Sequence, residues 1–255
     1  MVSAGKIILL PSGIHFNNYA EVIRIRGIGN AAFISLSRTL LGTFLTVLAC
    51  AFLAYLMTQR EMWGRRFWYR YIMITMYFSA GFIPVFMNIK MLGLLNNFLV
   101  YIIPGIISPF SIILVKTYIE SLPISLQESA KIDGAGILTI FTRVMLPLMI
   151  PILATISIFA AVGNWNSYLD NLFYITKNSL YTLQYILFQY LNELNALASL
   201  LAQNKGTIKV DPALLLTPTA IRMTVTMVIM LPIFVVYPVG QRFFLQGLIL
   251  GAVKG

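Results

Sequence analysis

The sequence predicts an all-α, polytopic membrane protein with about five transmembrane helices, and three observations predict it. Of its 255 residues, 59% are apolar and only 10% are charged, with a mean hydropathy of +0.84. Soluble domains carry about a quarter charged residues, so a water-soluble globular fold is disfavoured. Charge-free stretches long enough to cross a bilayer recur along the chain. Finally, the 18 Lys and Arg against 8 Asp and Glu are scattered between apolar blocks, which argues against a basic nucleic-acid face. One cysteine, Cys50, and one histidine, His15, exclude a disulfide framework and a Cys/His zinc site.

The elements follow in chain order. Residues Met1 to Gly13 do not read as a signal peptide, because Pro11 interrupts the short apolar run Ile7 to Leu10. Residues 1–30 are expected to form an external, water-facing or interfacial segment. A helix needs roughly 20 residues without a stranded charge to cross the hydrocarbon core. Five windows qualify: Thr39 to Gln59, Tyr71 to Ile89, Met91 to Val115, Val144 to Leu169 and Met223 to Gln241. Pro147, Pro151 and Pro232 are expected to kink or interrupt helices, as are Pro104 and Pro109 in the third window. The stretch Asn178 to Asn192 is shorter and rich in Tyr and Gln, which suggests an interfacial helix. No internal repeat is visible, so residues 1–255 are read as one transmembrane domain.

Arg60, Arg65, Arg66 and Arg70, against the lone Glu61, place the loop after the first span in the cytoplasm. Alternation then puts residues 120–143 and the tail 242–255 inside. The N-terminus, the Asn88 to Asn97 turn and residues 166–218 fall outside.

The cytoplasmic stretch Glu120 to Gly136 carries the main signal. Ser125 followed by Glu128 predicts a capping box at the start of a short helix. Gly134 suits the left-handed position that closes a helix, and Gly136 adds freedom for a reversal. Leu126, Ala130 and Ile132 lend apolar surface, and Glu128 and Lys131 stand at pairing distance along the helix. Asp133 sits at a helix C-terminus, where negative charge is disfavoured, so a partner for it is expected inside or outside the chain. Such a helix is a docking knob for a soluble partner; an ordinary loop helix would show the same caps.

The longer pattern Glu128-Ser-Ala-x-x-Asp133-Gly134-Ala135, followed by Phe141, Leu146-Pro147 and Pro151, resembles the EAA motif of ABC importer permeases. Ser129 departs from it, standing where the family usually has a second alanine. Leu9-Leu10-Pro11, Leu92 to Asn97, Asn164-Trp165-Asn166 and the tail Tyr237 to Gly255 resemble segments of maltose-type (MalG-like) sugar permeases. Among these the chain is most similar to permeases for complex or acidic oligosaccharides such as alginate or pectin fragments. The resemblance implies a type I ABC importer permease (MetI-like) fold with a cytoplasmic coupling helix, in a bacterial inner membrane. The family usually has six helices and a cytoplasmic N-terminus. A five-span chain with an external start is therefore expected to lack the first helix or to begin inside a longer reading frame.

The resemblance also implies partners: a second homologous permease subunit, two ATPase subunits and an extracytoplasmic solute-binding protein that delivers an oligosaccharide. It assigns coupling to Glu128, Ser129, Ala130, Asp133, Gly134 and Ala135. ATP and Mg would belong to the ATPase subunits, because this chain holds no Gly-x-x-x-x-Gly-Lys-Ser/Thr loop. HExxH and Gly-x-Ser-x-Gly are also absent, and Asp170, Glu193 and Asp211 stand apart from one another, so no catalytic role is expected. For the substrate pathway the candidates are Asn164, Trp165, Asn166 and Tyr168, whose amides and rings suit sugar hydroxyls and faces. Interhelical bonding and an interfacial aromatic anchor also account for them, and without any substrate. Arg38 and Arg222, at the outer ends of the first and fifth windows, would suit an anionic sugar or would simply snorkel to the interface. A channel-like or structural subunit would account for the spans and leave the Glu128 to Pro151 pattern without a purpose.

Overall fold

A computed structural model describes residues 27–203 and, beyond them, Met223, Thr226, Met227, Met230 and Phe234. All regular structure among the described residues is helical. The fifth expected span lies mostly outside them, as do the N-terminal segment up to residue 26 and the tail.

Helix α1 covers Ile28–Thr58 and is the one described helix long and apolar enough to cross a membrane unaided. It begins eleven residues before the charge-free window because Arg38 lies inside it, only 3% exposed, with its guanidinium carbon 4.7 Å from the centre of the Tyr101 ring. The snorkelling position expected for Arg38 is therefore corrected: the aromatic face lets the charge be buried.

The next three windows are each broken. Helices α2 (Arg65–Tyr77) and α3 (Phe82–Met91) meet at 117°, around Gly81 with φ of +84°. A 3-10 stretch, Phe98–Gly105, leads into α4 (Pro109–Ser121) at 45°. There Pro109 occupies the first turn, where its missing amide is harmless, and the Ser108 hydroxyl accepts from the Ser111 amide at 3.3 Å. After the short α5 (Ser125–Ile132), α6 (Ile137–Leu148) and α7 (Ile150–Asn166) meet at 80°. As expected from Pro147 and Pro151, two missing amide donors interrupt the ladder here, and residues Ile140–Met145 are wound as a π-helix. Counting each bent pair as one span gives up to four spans among the described residues. Helix α8 is Leu169–Tyr174, and α9 is Leu183–Gln203, which starts later and runs further than the Asn178 to Asn192 helix expected.

The described residues fall into two compact units, one containing Leu36–Asn166 and the other formed by residues before and after it. In the Leu36–Asn166 unit, a stripe of α1 (Cys50, Ala51, Ala54, Tyr55) and a stripe of α4 (Ile112, Val115, Ile119) bury against Ile140, Phe141 and Met145 of the π-turn and Ile152 and Ile156 of α7. Helical spacing of one, three and four residues produces both stripes. Phe141 lies edge-on to Phe52 at 5.2 Å and beside Tyr55 at 5.4 Å. Leu40, Leu41, Phe44 and Leu48 of α1 are exposed, which suits a lipid-facing surface.

The other unit is pinned by one buried amide. Asn171, 0% exposed, accepts through Oδ1 from the Thr182 amide at 3.2 Å and the Thr182 hydroxyl at 2.8 Å. The Leu183 amide donates to the Ser35 hydroxyl at 2.9 Å, and Tyr168 stacks on Phe188 at 4.7 Å.

Candidate functional site

Helix α5 is the knob expected from the sequence, but its start is built differently. Ile124, already helical, occupies the cap position, and no side chain caps the helix. The Ser125–Glu128 capping box is therefore corrected. The turn is initiated by main-chain bonds instead, from the Leu126 amide to the Pro123 carbonyl at 3.3 Å and from the Gln127 amide to the Ile124 carbonyl at 3.0 Å. With Ser125 already inside the helix, its hydroxyl has lost the geometry of a cap. Glu128 remains in the first turn, where the helix dipole favours a carboxylate.

The end is as expected. Gly134 has φ of +78°, its amide donates to the Lys131 carbonyl and the Ala135 amide to the Ala130 carbonyl, both at 3.0 Å. These are the two bonds of a Schellman closure. Gly136 is in ordinary extended backbone, with φ of −70°.

Side chains then brace the knob. Lys131 does not pair with Glu128 as the helical spacing suggested; its Nζ donates to Glu61 Oε1 at 2.7 Å, across the chain. That bond holds the Glu61 carboxyl below the usual carboxylate range. Gln59, at the end of α1, donates through Nε2 to Gln127 Oε1 at 3.0 Å. Beneath them Ala130 and Ala135 pack against the core of the unit. Outward, Glu128, Ser129, Asp133 and Gly134 are exposed, and Ile132 is 85% exposed. Among the described residues the carboxylates of Glu128 and Asp133 accept no hydrogen bond and join no ion pair, whereas Glu61 and Glu120 both do. The structure thus brings all six predicted coupling residues into one protrusion, Ala130 and Ala135 as its seat and the other four on its surface. Sequence reasoning missed Gln59, Gln127 and Glu61. Gln59 and Glu61 carried a signal, as polar residues directly after a long apolar run.

A second feature lies inside the same unit. A cavity of about 400 Å³ is walled by Thr46 of α1, Ser108 and Ser111 at the start of α4, and Phe159, Gly163 and Asn164 of α7. It places polar groups at span depth, where they are costly unless they face a cavity or one another. Asn164 reaches close to α1: a Cβ added to Gly42 would stand 2.8 Å from its Nδ2. Of the other predicted pathway residues, Trp165 is buried, Asn166 is exposed, Tyr168 belongs to the other unit and Arg222 lies outside the described residues. Among the described residues no group of His, Cys, Asp and Glu is placed to hold a metal.

The comparisons with known proteins concern this whole arrangement. Residues 46–249 match the family described as "Binding-protein-dependent transport system inner membrane component". The chain is 33% identical over 254 residues to the polygalacturonan/rhamnogalacturonan transport system permease protein YtcP of Bacillus subtilis (strain 168), covering 100% of this chain and 87% of that protein. It is 36% identical over 233 residues to the protein LplC of the same organism, covering 91% and 75%. Among solved structures it is similar to a bacterial ABC transporter involved in the import of the acidic polysaccharide alginate, with a TM-score of 0.82, 30% identity, and coverage of 95% of this chain and 84% of that one.

Proposed function

The chain belongs to the family of binding-protein-dependent transport system inner membrane components, and on that premise we propose that it forms half of the translocation pathway of an ATP-driven oligosaccharide importer. It has the MetI-like permease fold and sits in the inner membrane as a transport component. An importer of this kind works with a partner permease, an ATPase and a binding protein. In the finer reading proposed here, one homologous permease subunit and two ATPase subunits complete the assembly. ATP and Mg are bound by the ATPases, and this chain performs no chemistry.

The observation that carries the proposal is the knob. Residues 120–143 face the cytoplasm, and α5 enters a groove on an ATPase. Glu128 and Asp133, which have no partner within the described residues, meet cationic groups there, and Ile132 loses its water. Closure of the ATPases on ATP pushes α5 sideways. The Lys131–Glu61 and Gln59–Gln127 bonds and the Ala130 and Ala135 seat pass that push to α1 and to the bent α6–α7 pair. These helices line the cavity at Asn164, so two packings of the unit would alternately open it. A switch of this type is driven by the difference in ATPase contacts between the two packings. The outer side comprises residues 1–30 and 166–218, and the tail 242–255 lies inside.

An acidic substrate is favoured by relatives named for polygalacturonan and for alginate, both polymers that carry carboxylates. Asn164, Trp165, Asn166 and Tyr168 would hold hydroxyls and ring faces. Arg38 takes part through the charge it keeps beneath Tyr101 rather than by direct contact, and Arg222 remains a candidate at the mouth.

The test is ATPase retention and ATP-driven uptake by the reconstituted assembly. Asp133→Arg and Gly134→Trp are expected to lower both while the protein stays in the membrane. Unchanged uptake in both variants would refute the coupling assignment. Equal uptake of charged and neutral oligosaccharides would refute the acidic substrate and leave the coupling untouched.

A further inference from the structure

Between the end of α1 and the start of α2 the chain builds a second charged recess, which shares Arg60 and Arg65 with the surface beside the knob. Gly64, with φ of +65°, turns the backbone so that Arg60 before it and Arg65 and Arg66 after it converge. With Lys116 of α4 they wall a cavity of about 660 Å³ that has no acidic residue on its lining. Lys116 is buried, its Nζ 4.5 Å from the centre of the Tyr69 ring, and it shares Glu120 with Arg65, at 2.7 and 3.4 Å. Arg60 and Arg66 join no ion pair among the described residues. Glu120 offsets Lys116 and Arg65, and Glu61 acts on Arg60 from outside the lining, so four cations stand against two carboxylates and a positive surplus remains at the end of α1.

The surface beside the recess is aromatic. Trp63 is 86% exposed, and Phe67, Trp68 and Tyr71 of α2 are exposed as well. In water that would be an aggregation-prone patch; at the level of lipid headgroups, amphipathic rings beside arginines are in their preferred setting. We propose that this recess seats the phosphate of an anionic membrane lipid, with Arg60 and Arg66 around the headgroup and the α2 aromatics along its acyl chains. Charge complementarity selects an anion, and the neighbouring rings select one that brings hydrocarbon with it. Basic pockets at the ends of spans are recognised in this way by anionic headgroups.

The probe is spin-labelled phosphatidylglycerol in nanodiscs of phosphatidylcholine containing the full chain with its co-purifying subunits. Two cations near a membrane surface together account for roughly a 10- to 30-fold change in affinity. Arg60→Gln with Arg66→Gln is therefore expected to lower phosphatidylglycerol association by about that factor and leave phosphatidylcholine association unchanged. Arg60→Lys with Arg66→Lys, which keeps both charges, is expected to restore most of it. Inorganic phosphate at millimolar concentration is expected not to displace the lipid. The proposal is overturned if the Gln pair binds phosphatidylglycerol as the parent does, or if inorganic phosphate displaces it fully, which would mark a free-anion site. It is also overturned if the Gln pair sheds a protein subunit without changing lipid association, which would make this face a protein interface.

Discussion

Gly134 offers the cleanest separation between folding of the knob and its docking. Its φ of +78° is a conformation that costs an L-residue roughly 1–2 kcal/mol, yet a Cβ built there meets nothing within 4 Å. The penalty in the chain alone is therefore a backbone term, independent of side-chain size. Opening the closure breaks the bonds from the residue-134 amide to Lys131 and from the Ala135 amide to Ala130. Hydrogen exchange at these two amides reads the opening directly. Ala, Leu and Lys at 134 are expected to lose the same 5- to 30-fold of protection, and Asn less, because Asn visits the left-handed region more readily. ATP-driven uptake by the assembly should instead depend on size, falling modestly in Gly134→Ala and sharply in Gly134→Trp, where the added ring meets the docked ATPase. Protection that falls progressively with side-chain size would refute the open-space argument. Uptake that falls equally in Ala and Trp would show a folding defect and remove the case for docking at this position.

Four further outcomes follow from the geometry. Gly42→Ala drives a Cβ to within 2.8 Å of Asn164 Nδ2, so Asn164 must move; uptake should fall and be partly recovered by Asn164→Ser, and parental uptake in Gly42→Ala would count against a role for that cavity. Asn171→Ala leaves the buried Thr182 amide and hydroxyl without their acceptor, a loss of about 2–4 kcal/mol, to be seen as a lower unfolding midpoint in detergent. Glu61 has its carboxyl lowered chiefly by Lys131, with its own backbone and Arg60 adding to the effect; a depressed carboxylate contributes at neutral pH and loses that contribution as pH falls through its folded value, so carboxyl NMR should show Glu61 titrating below the usual range, and Lys131→Met should raise it without abolishing the whole depression. Ala130→Leu overfills the seat of α5 against the core, at roughly 1–3 kcal/mol, whereas Ser129→Leu, on the exposed face, should leave stability near parental and lower only ATPase retention.

Most of the knob was legible because its signals are local. Gly134 announces a left-handed residue, and the family pattern from Glu128 to Pro151 places it. The start of the same helix differs from the expectation because Ser125 and Glu128 satisfy a capping box in spacing, while Ile124 is already helical and the Pro123 and Ile124 carbonyls take the first amides. Lys131 illustrates a second limit. A spacing of three predicts a partner on the same helix, and only the tertiary fold brings Glu61 closer.

The span windows show the same division. Counting charge-free residues located the apolar blocks but assumed that a charge ends a span. Arg38 and Lys116 both contradict that rule: each sets its cation against a tyrosine ring supplied by a distant part of the chain, and Lys116 is also paired with Glu120 on its own helix. The windows were equally blind to breaks. Pro147 and Pro151 declare theirs by removing amide donors, but the 117° turn at Gly81 sits within a charge-free run, where Ser79, Gly81 and Pro84 do not register as an end. Hydropathy records what lipid tolerates, and it carries no term for backbone direction.

The braces decide what kind of transmission the knob can support. The Lys131–Glu61 pair is largely solvent-exposed, and exposed pairs contribute little to stability. Rigidity along the path must therefore come from packing and main-chain bonding: the two half-buried alanines seated on the core, the Schellman closure, and Phe141 held between Phe52 and Tyr55. Packed cores switch between discrete arrangements rather than deform continuously. In the proposed coupling, the polar braces would set the angle at which α5 meets the end of α1, while the apolar seat would bear the displacement. Weakening a brace should alter how much transport each ATP supports, whereas damaging the seat should abolish the coupled motion itself.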